Sequence, residues 1–293
     1  MTALESRSAR EGTELELPGG YRSVLVTRSD DRRGPQGIHL VEHAGTHYIY
    51  KVYGARRNPL KGILERIAAR IEGRSGPSPA TRLAVERRCL RVWRDHGFDV
   101  FREIETGPEI SFGAPALCLE YVQGRSALRY FADPSVAKDE KLEALHRLAG
   151  EWARRHELAQ RLNEPLLIHE HPSLEHIWRG EDGRFYHFDF EVVYTGRRLR
   201  ERIGREVLRL VRAVLRYAPE ADREEYLEVF LEKYRLHDFL RLAFEDLWRS
   251  PSPFVRVWRF FERLGPRARL PLSQFAVARM VMEKLTARGE HAT

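Results

Sequence analysis

The chain has 293 residues, 42% of them hydrophobic, 32% charged and 10% aromatic, the make-up of a soluble globular protein large enough for one big domain or two lobes around a cleft. No apolar run approaches the roughly 20 residues of a membrane span, and the start "MTALESRSAREGTELELPGG" has neither a secretory core nor a transit-peptide character, so a cytoplasmic location is expected. The formal charge of +7, mostly an arginine excess, favours an anionic partner, while the absence of zinc-finger spacing, an RNP-like signature or a Lys/Arg block argues against nucleic acid.

Residues 1–20 read as a polar tail. From Tyr21 the pattern turns to short β-type runs, "YRSVLVTRS", "GIHLVEHAG" and "THYIYKVYG". The last two are joined by Ala44-Gly45 as a hairpin turn, and "DDRRGPQG" between the first two is weakly suited to cover phosphates. "NPLKGILERIAARIEG" follows, with Leu60, Ile63, Leu64, Ile67 and Ile71 at helical spacing and Lys61, Arg66 and Arg70 largely off that stripe. Such a helix packs on its own domain or lies on a membrane surface. After "RSGPSP" the segment "ATRLAVERRCLRVWRDHG" predicts a second helix, stopped by Gly97. "FDVFREIE" and "PALCLEYVQG" read as two more strands. From about Ser126 the period is helical, apart from a short β-like piece around "IHEHPSLEHIW" and "FYHFDFE". Cys89 and Cys118 sit in apolar runs and read as small buried residues.

The predicted fold class is therefore α+β: five strands with a helix inserted, a hinge, and a helical second half. The expected parts are an antiparallel-sheet lobe over 21–125 and a helical lobe over 126–293. That is the layout of a two-lobed phosphotransferase with nucleotide between the lobes.

The chemistry-bearing residues fit that layout. Lys51 lies on an alternating strand, and a buried ammonium needs a partner. Glu86, on the next helix, stands where a kinase has the glutamate that pairs with its phosphate-holding lysine. The backbone around Glu120 to Val122, at the end of "CLEYVQ", suits a hinge that bonds an adenine edge. Asp189, in the apolar run "YHFDFE", would be buried and would need a cation, which makes it the candidate Mg²⁺ ligand.

On these residues the chain resembles the lipopolysaccharide core kinases, the Kdo and heptose kinase group of the protein-kinase-like superfamily. Lys51 on its strand, "GILERIAARIEG" and "SGPSPATRLAVERRCLRVWRDHGFDV" carry the resemblance, which runs from about Tyr21 to Tyr194. It implies ATP and Mg²⁺ as cofactors, a lipopolysaccharide sugar or other alcohol as acceptor, and peripheral contact with the inner membrane. Kinase loops follow H-x-D-x-x-x-x-N, and "HEHPSLEHI" places His169, His171 and His176 at the three fixed positions. A histidine in the last slot agrees with the heptose kinases, where His176 would bond a phosphate or Asp189. His171 replaces the catalytic aspartate, and Glu170 is the nearest carboxylate.

An imidazole, titrating near about 6.5 in water, can accept a proton at neutral pH. Two readings follow: a kinase with His171 as an altered base, and a pseudokinase that binds nucleotide without rapid transfer. A third is a transition-metal site built from the loop histidines, His187 and Asp189.

Overall fold

The computed structural model describes residues 13–17, 21–28, 37–54, 69, 73–194, 198–249 and 270–289. The helix expected over residues 60–71 lies outside them save for Ala69, as do the loop "DDRRGPQG" up to Gln36 and the helix expected at "FVRVWRFFERL". No helix among the described residues is long and apolar enough to cross a membrane.

The chain divides into two compact units. The first falls within Met1–Arg94, Val100–Gln123 and Asp189–Thr195. It holds an antiparallel sheet of β1 (Thr13–Leu17), β2 (Tyr21–Arg28), β3 (Gly37–His43), β4 (Thr46–Val52) and β5 (Ala116–Glu120), paired in that order. Ala44 and Gly45 turn the β3–β4 hairpin with φ of 48° and 74°, the two positive values that a tight turn between twisted strands requires. Val41, Tyr50, Val52 and Phe112 form one core cluster of this unit among the described residues.

Two differences from the sequence reading concern the sheet edges. Residues 13–17, within the segment read as a polar tail, pair along their whole length with β2. "TELEL" alternates polar and apolar, the signature of a half-covered strand. "FDVFREIE", expected as a strand, forms no strand and meets β5 through an isolated bridge between Glu103 and Leu119. Val100 and Phe101 are both buried, and two adjacent buried side chains cannot belong to a strand with one covered face.

Helix α1 (Pro79–Asp95) lies between β4 and β5 in sequence. Ser78 caps it by accepting from the Thr81 amide at 3.1 Å, and Pro79 occupies the first turn, where no donor is lost. Its buried face runs Arg82, Glu86, Cys89, Leu90 and Trp93: polar at the start, apolar toward the end. That division places two charged side chains one turn apart on a face otherwise given to packing.

The second unit falls within Asp95–Asp99, Gly124–Phe188 and Gly196–Thr293. A small antiparallel sheet, β6 (Gly124–Ser126), β7 (Ile177–Gly180) and β8 (Phe185–His187), is followed or flanked by helices. A Cβ on Gly124 would stand 2.2 Å from the Arg179 carbonyl oxygen, so only glycine lets β6 approach β7. The helices are α2 (Ala127–Ala132), α3 (Lys138–Leu162), α4 (Leu199–Tyr217), α5 (Arg223–Lys233), α6 (His237–Arg249) and α7 (Gln274–Ala287). The long helix expected from residue 138 is present as α3, and Leu145, Leu148 and Trp152 on it are fully buried. The α+β organisation read from the sequence, strands first and helices after, is the one found.

Candidate functional site

In the first unit, β4 is the strand flanked by β3 and β5, and Lys51 on it is 8% exposed. Its ammonium meets Glu86 Oε2 at 2.6 Å, Asp189 Oδ1 at 2.5 Å and Glu191 Oε1 at 3.4 Å. Tyr53 also donates its hydroxyl to Glu86 Oε2 at 2.6 Å, and the Asp189 amide donates to Glu86 Oε1 at 3.2 Å. Glu86 is fully buried, and all of its partners are donors. Asp189 has φ 71°, a left-handed value that costs a non-glycine residue about 1 kcal/mol or more. The Glu86 bond to its amide helps to hold it there.

Arg82 completes the cluster. Its Nε donates to Glu191 Oε2 at 2.7 Å, Nη2 lies on the same oxygen, and Nη1 reaches the Gly54 carbonyl at 3.4 Å. Three carboxylates thus face two cations, leaving one negative charge in excess. Burial pulls the Lys51 ammonium down, but Asp189, Glu86 and Glu191 together outweigh it and hold Lys51 protonated well above an ordinary lysine. Burial raises Glu86, with Lys51 opposing. Burial beside Glu86 also drives the Tyr53 hydroxyl up, so it stays a donor.

Asp189 does not lie in a strand. β8 ends at His187 and the carboxylate, 29% exposed, follows a left-handed turn. Tyr186 and His187 are both buried, so the apolar run stops alternating before the aspartate is reached. Glu86, Asp189 and Glu191 bring ligand oxygens within 4.8 Å of one another. All are carboxylates, the hard donors that suit Mg²⁺.

Among the described residues no set containing His169, His171, His176 or His187 meets that spacing, so the transition-metal arrangement is not formed. His187 instead faces Glu151, with Nε2 at 2.7 Å from Oε1.

The hinge residues are less open than expected. The Glu120 amide donates to the Arg102 carbonyl at 2.9 Å, and its carboxylate accepts from the Arg102 amide at 2.9 Å. Val122 follows two residues beyond β5 and is half-buried.

In the second unit the loop histidines have three different environments. His169 is 2% exposed, donates from Nε2 to the Phe188 carbonyl at 2.8 Å, and gives its amide to Glu206 Oε1 at 3.0 Å. Burial, aided by His176, lowers it to about 3, which keeps the ring neutral. His171 is exposed. His176 stacks on His169 with centroids 5.8 Å apart, and its Nδ1 donates to the His171 carbonyl at 2.8 Å. A carbonyl can only accept, so Nδ1 carries a proton in this bond. Glu170, read as a substitute base, is held by Arg202 (Nε to Oε1, 2.7 Å), and its carbonyl accepts from Arg209 at 2.6 Å. Its acid strength falls because burial outweighs Arg202.

Behind the loop lies a network that the motif reading missed. Glu206 on α4 accepts from Arg155 Nη2 at 2.7 Å, pairs with His156 Nε2 at 3.0 Å and holds the His169 amide. Arg155 and His156 have no exposure. The signal was present: Glu206 falls on the stripe Ile203, Val207 and Leu210, where an apolar residue belongs. Arg82 could likewise have been found as the charged residue one turn before Glu86.

Burial lowers His156 to about 4 and His169 to about 3, each from an ordinary 6.5. Both histidines are charged in the unfolded chain below about pH 6.5 and neutral in the folded one, so the unfolded state binds more protons there. Stability is expected to be full above pH 6.5 and to fall as pH drops toward 4. Melting temperature followed by circular dichroism between pH 8 and about 4 checks this, and His156→Gln should flatten the slope.

No family model matches the chain, and no curated protein matches it. Among solved structures, the chain is similar to two double-mutant forms of the PknI kinase domain of Mycobacterium tuberculosis. For one, identity is 15% and the TM-score 0.36, covering 92% of this chain and 97% of that one. For the other they are 17% and 0.40, with 91% and 96% covered.

Proposed function

We propose that the chain is a protein-kinase-like phosphotransferase that binds ATP with Mg²⁺ and phosphorylates an alcohol group. The observation that carries this reading is Lys51 on its strand, joined at once to the helix carboxylate Glu86 and to Asp189. Such a lysine, fixed and charged, would hold the phosphates of a nucleotide, and Glu86 would keep it aimed. Asp189 and Glu191 would hold Mg²⁺, which when bound would supply positive charge to offset that of the phosphates. Tyr53 and Arg82 fix the carboxylates and take no part in transfer. Exposed His171 would orient the acceptor hydroxyl and take its proton. Glu170, committed to Arg202, supports that role less well. His169 serves as a neutral anchor of the loop. His176 would meet a phosphate only by donating an N–H from Nε2, since its Nδ1 is committed to the His171 carbonyl. The acceptor class favoured by the basic charge and by the resemblance to lipopolysaccharide core kinases is an anionic glycolipid at the inner membrane surface.

The replacement of a carboxylate by His171 favours a second reading, a nucleotide-binding pseudokinase. Calorimetric titration with MgATP, followed by turnover assays with glycolipid and sugar acceptors, tests both. Transfer by wild type that drops about 10²-fold in His171→Ala supports the enzyme. Binding without transfer, with activity gained in His171→Asp, supports the pseudokinase. No binding of MgATP removes both.

A further inference from the structure

Arg82 is a buried cation that the scheme above uses only to fix a neighbour, yet its geometry is specific. It is 3% exposed, and its guanidinium carbon lies 5.3 Å from the centroid of the Tyr53 ring. Nε and Nη2 converge on one oxygen of Glu191, Oε2, rather than spreading over both. The other oxygen, Oε1, is left on the side of Lys51, 3.4 Å from its ammonium. A carboxylate held in this way can offer a cation one oxygen and not two.

We propose that Arg82 is a positioning residue that makes Glu191 a one-oxygen ligand and so sets the site's preference for Mg²⁺ over Ca²⁺. This rests on the reading of Glu86, Asp189 and Glu191 as a metal site. The chemistry follows from ion size. Mg²⁺ takes a tight octahedron of single oxygens and keeps several waters, whereas Ca²⁺ accepts bidentate carboxylates and more ligands. Clamping Oε2 removes the bidentate mode that would favour the larger ion. The guanidinium also lowers the net negative charge of the cluster from two to one, which weakens attraction for either divalent ion alike. Only the ratio of the two affinities therefore reports the clamp.

The test titrates the full chain with Mg²⁺ alone and with Ca²⁺ alone by calorimetry, for wild type, Arg82→Ala and Arg82→Lys, after melting curves show each is folded. In Arg82→Ala the Mg²⁺-to-Ca²⁺ affinity ratio is expected to fall about tenfold, the low end for an outer-shell partner of a metal ligand. Arg82→Lys keeps the charge but loses the two converging N–H groups, and its ratio should fall in the same direction. A ratio unchanged in both variants overturns the proposal. So does a wild-type ratio in Arg82→Lys, which would show that the two converging N–H groups do not set it, and so does absence of any metal binding by wild type. If wild type binds Mg²⁺ but not MgATP, the phosphotransferase reading fails while the ratio still judges Arg82.

Discussion

Asp189→Ala is expected to cost about 10³-fold in MgATP affinity while leaving the melting temperature close to wild type. The loss corresponds to about 4 kcal/mol, because the variant lacks the carboxylate that would hold Mg²⁺ against the nucleotide. Folding is spared because the charges then balance: Glu86 and Glu191 remain against Lys51 and Arg82. The left-handed strain at position 189 persists, since alanine tolerates φ 71° no better, so little stability is regained. Lys51→Ala is the contrasting case. It leaves three carboxylates facing Arg82 alone, with Glu86 fully buried and without its ammonium. That variant should lose both nucleotide binding and stability. Calorimetry with MgATP and thermal melts of the two variants separate the effects. Equal binding by wild type and Asp189→Ala would show that the cluster is structural.

Glu206→Ala should destabilise the second unit by about 3–5 kcal/mol, the typical cost of stripping the partner from a buried charge. Arg155 has no exposure and would lose the carboxylate on its Nη2, while Nη1 keeps the Leu167 carbonyl. His156 would lose its partner at Nε2 and the His169 amide its acceptor. Each such orphaned group adds about 1 kcal/mol or more. Glu206→Gln retains an acceptor but no charge and should lose less. Replacing Arg155 and Glu206 together by Met and Leu should restore much of the loss, because a matched apolar pair has no charge to bury. Urea unfolding, monitored by tryptophan fluorescence and circular dichroism, measures the cycle. A loss below about 1 kcal/mol in Glu206→Ala would mean that water reaches Arg155 and that the network is not dry.

How much of this was legible beforehand depends on the distance over which the information acts. Alternation and helical period are local, so β2 to β5, α1, α3, α4, α5 and α7 could be read from short windows of residues. Lys51, Glu86 and Asp189 were legible for a related reason: a charge placed in an apolar pattern must find a partner, whatever the partner is. Local pattern cannot say which partner it finds. Arg82 and Glu191 are 109 residues apart, and Lys51 and Asp189 are 138 apart. Only the folded chain decides that two arginine nitrogens converge on one glutamate oxygen. The same holds for "HEHPSLEHI", where spacing treats three histidines alike. Tertiary packing buries His169 against Glu206 and Phe188, commits Glu170 to Arg202, and leaves His171 exposed. The two opposite sheet edges were decided in the same way, since both β1, beside β2, and residues 98–105, beside β5, carry apolar residues. Continuous pairing with β2 favours β1, whereas Val100 and Phe101 turn together into the core. Sequence thus determined which residues need partners, and tertiary structure determined which partners they have, because desolvation is set by neighbours in space.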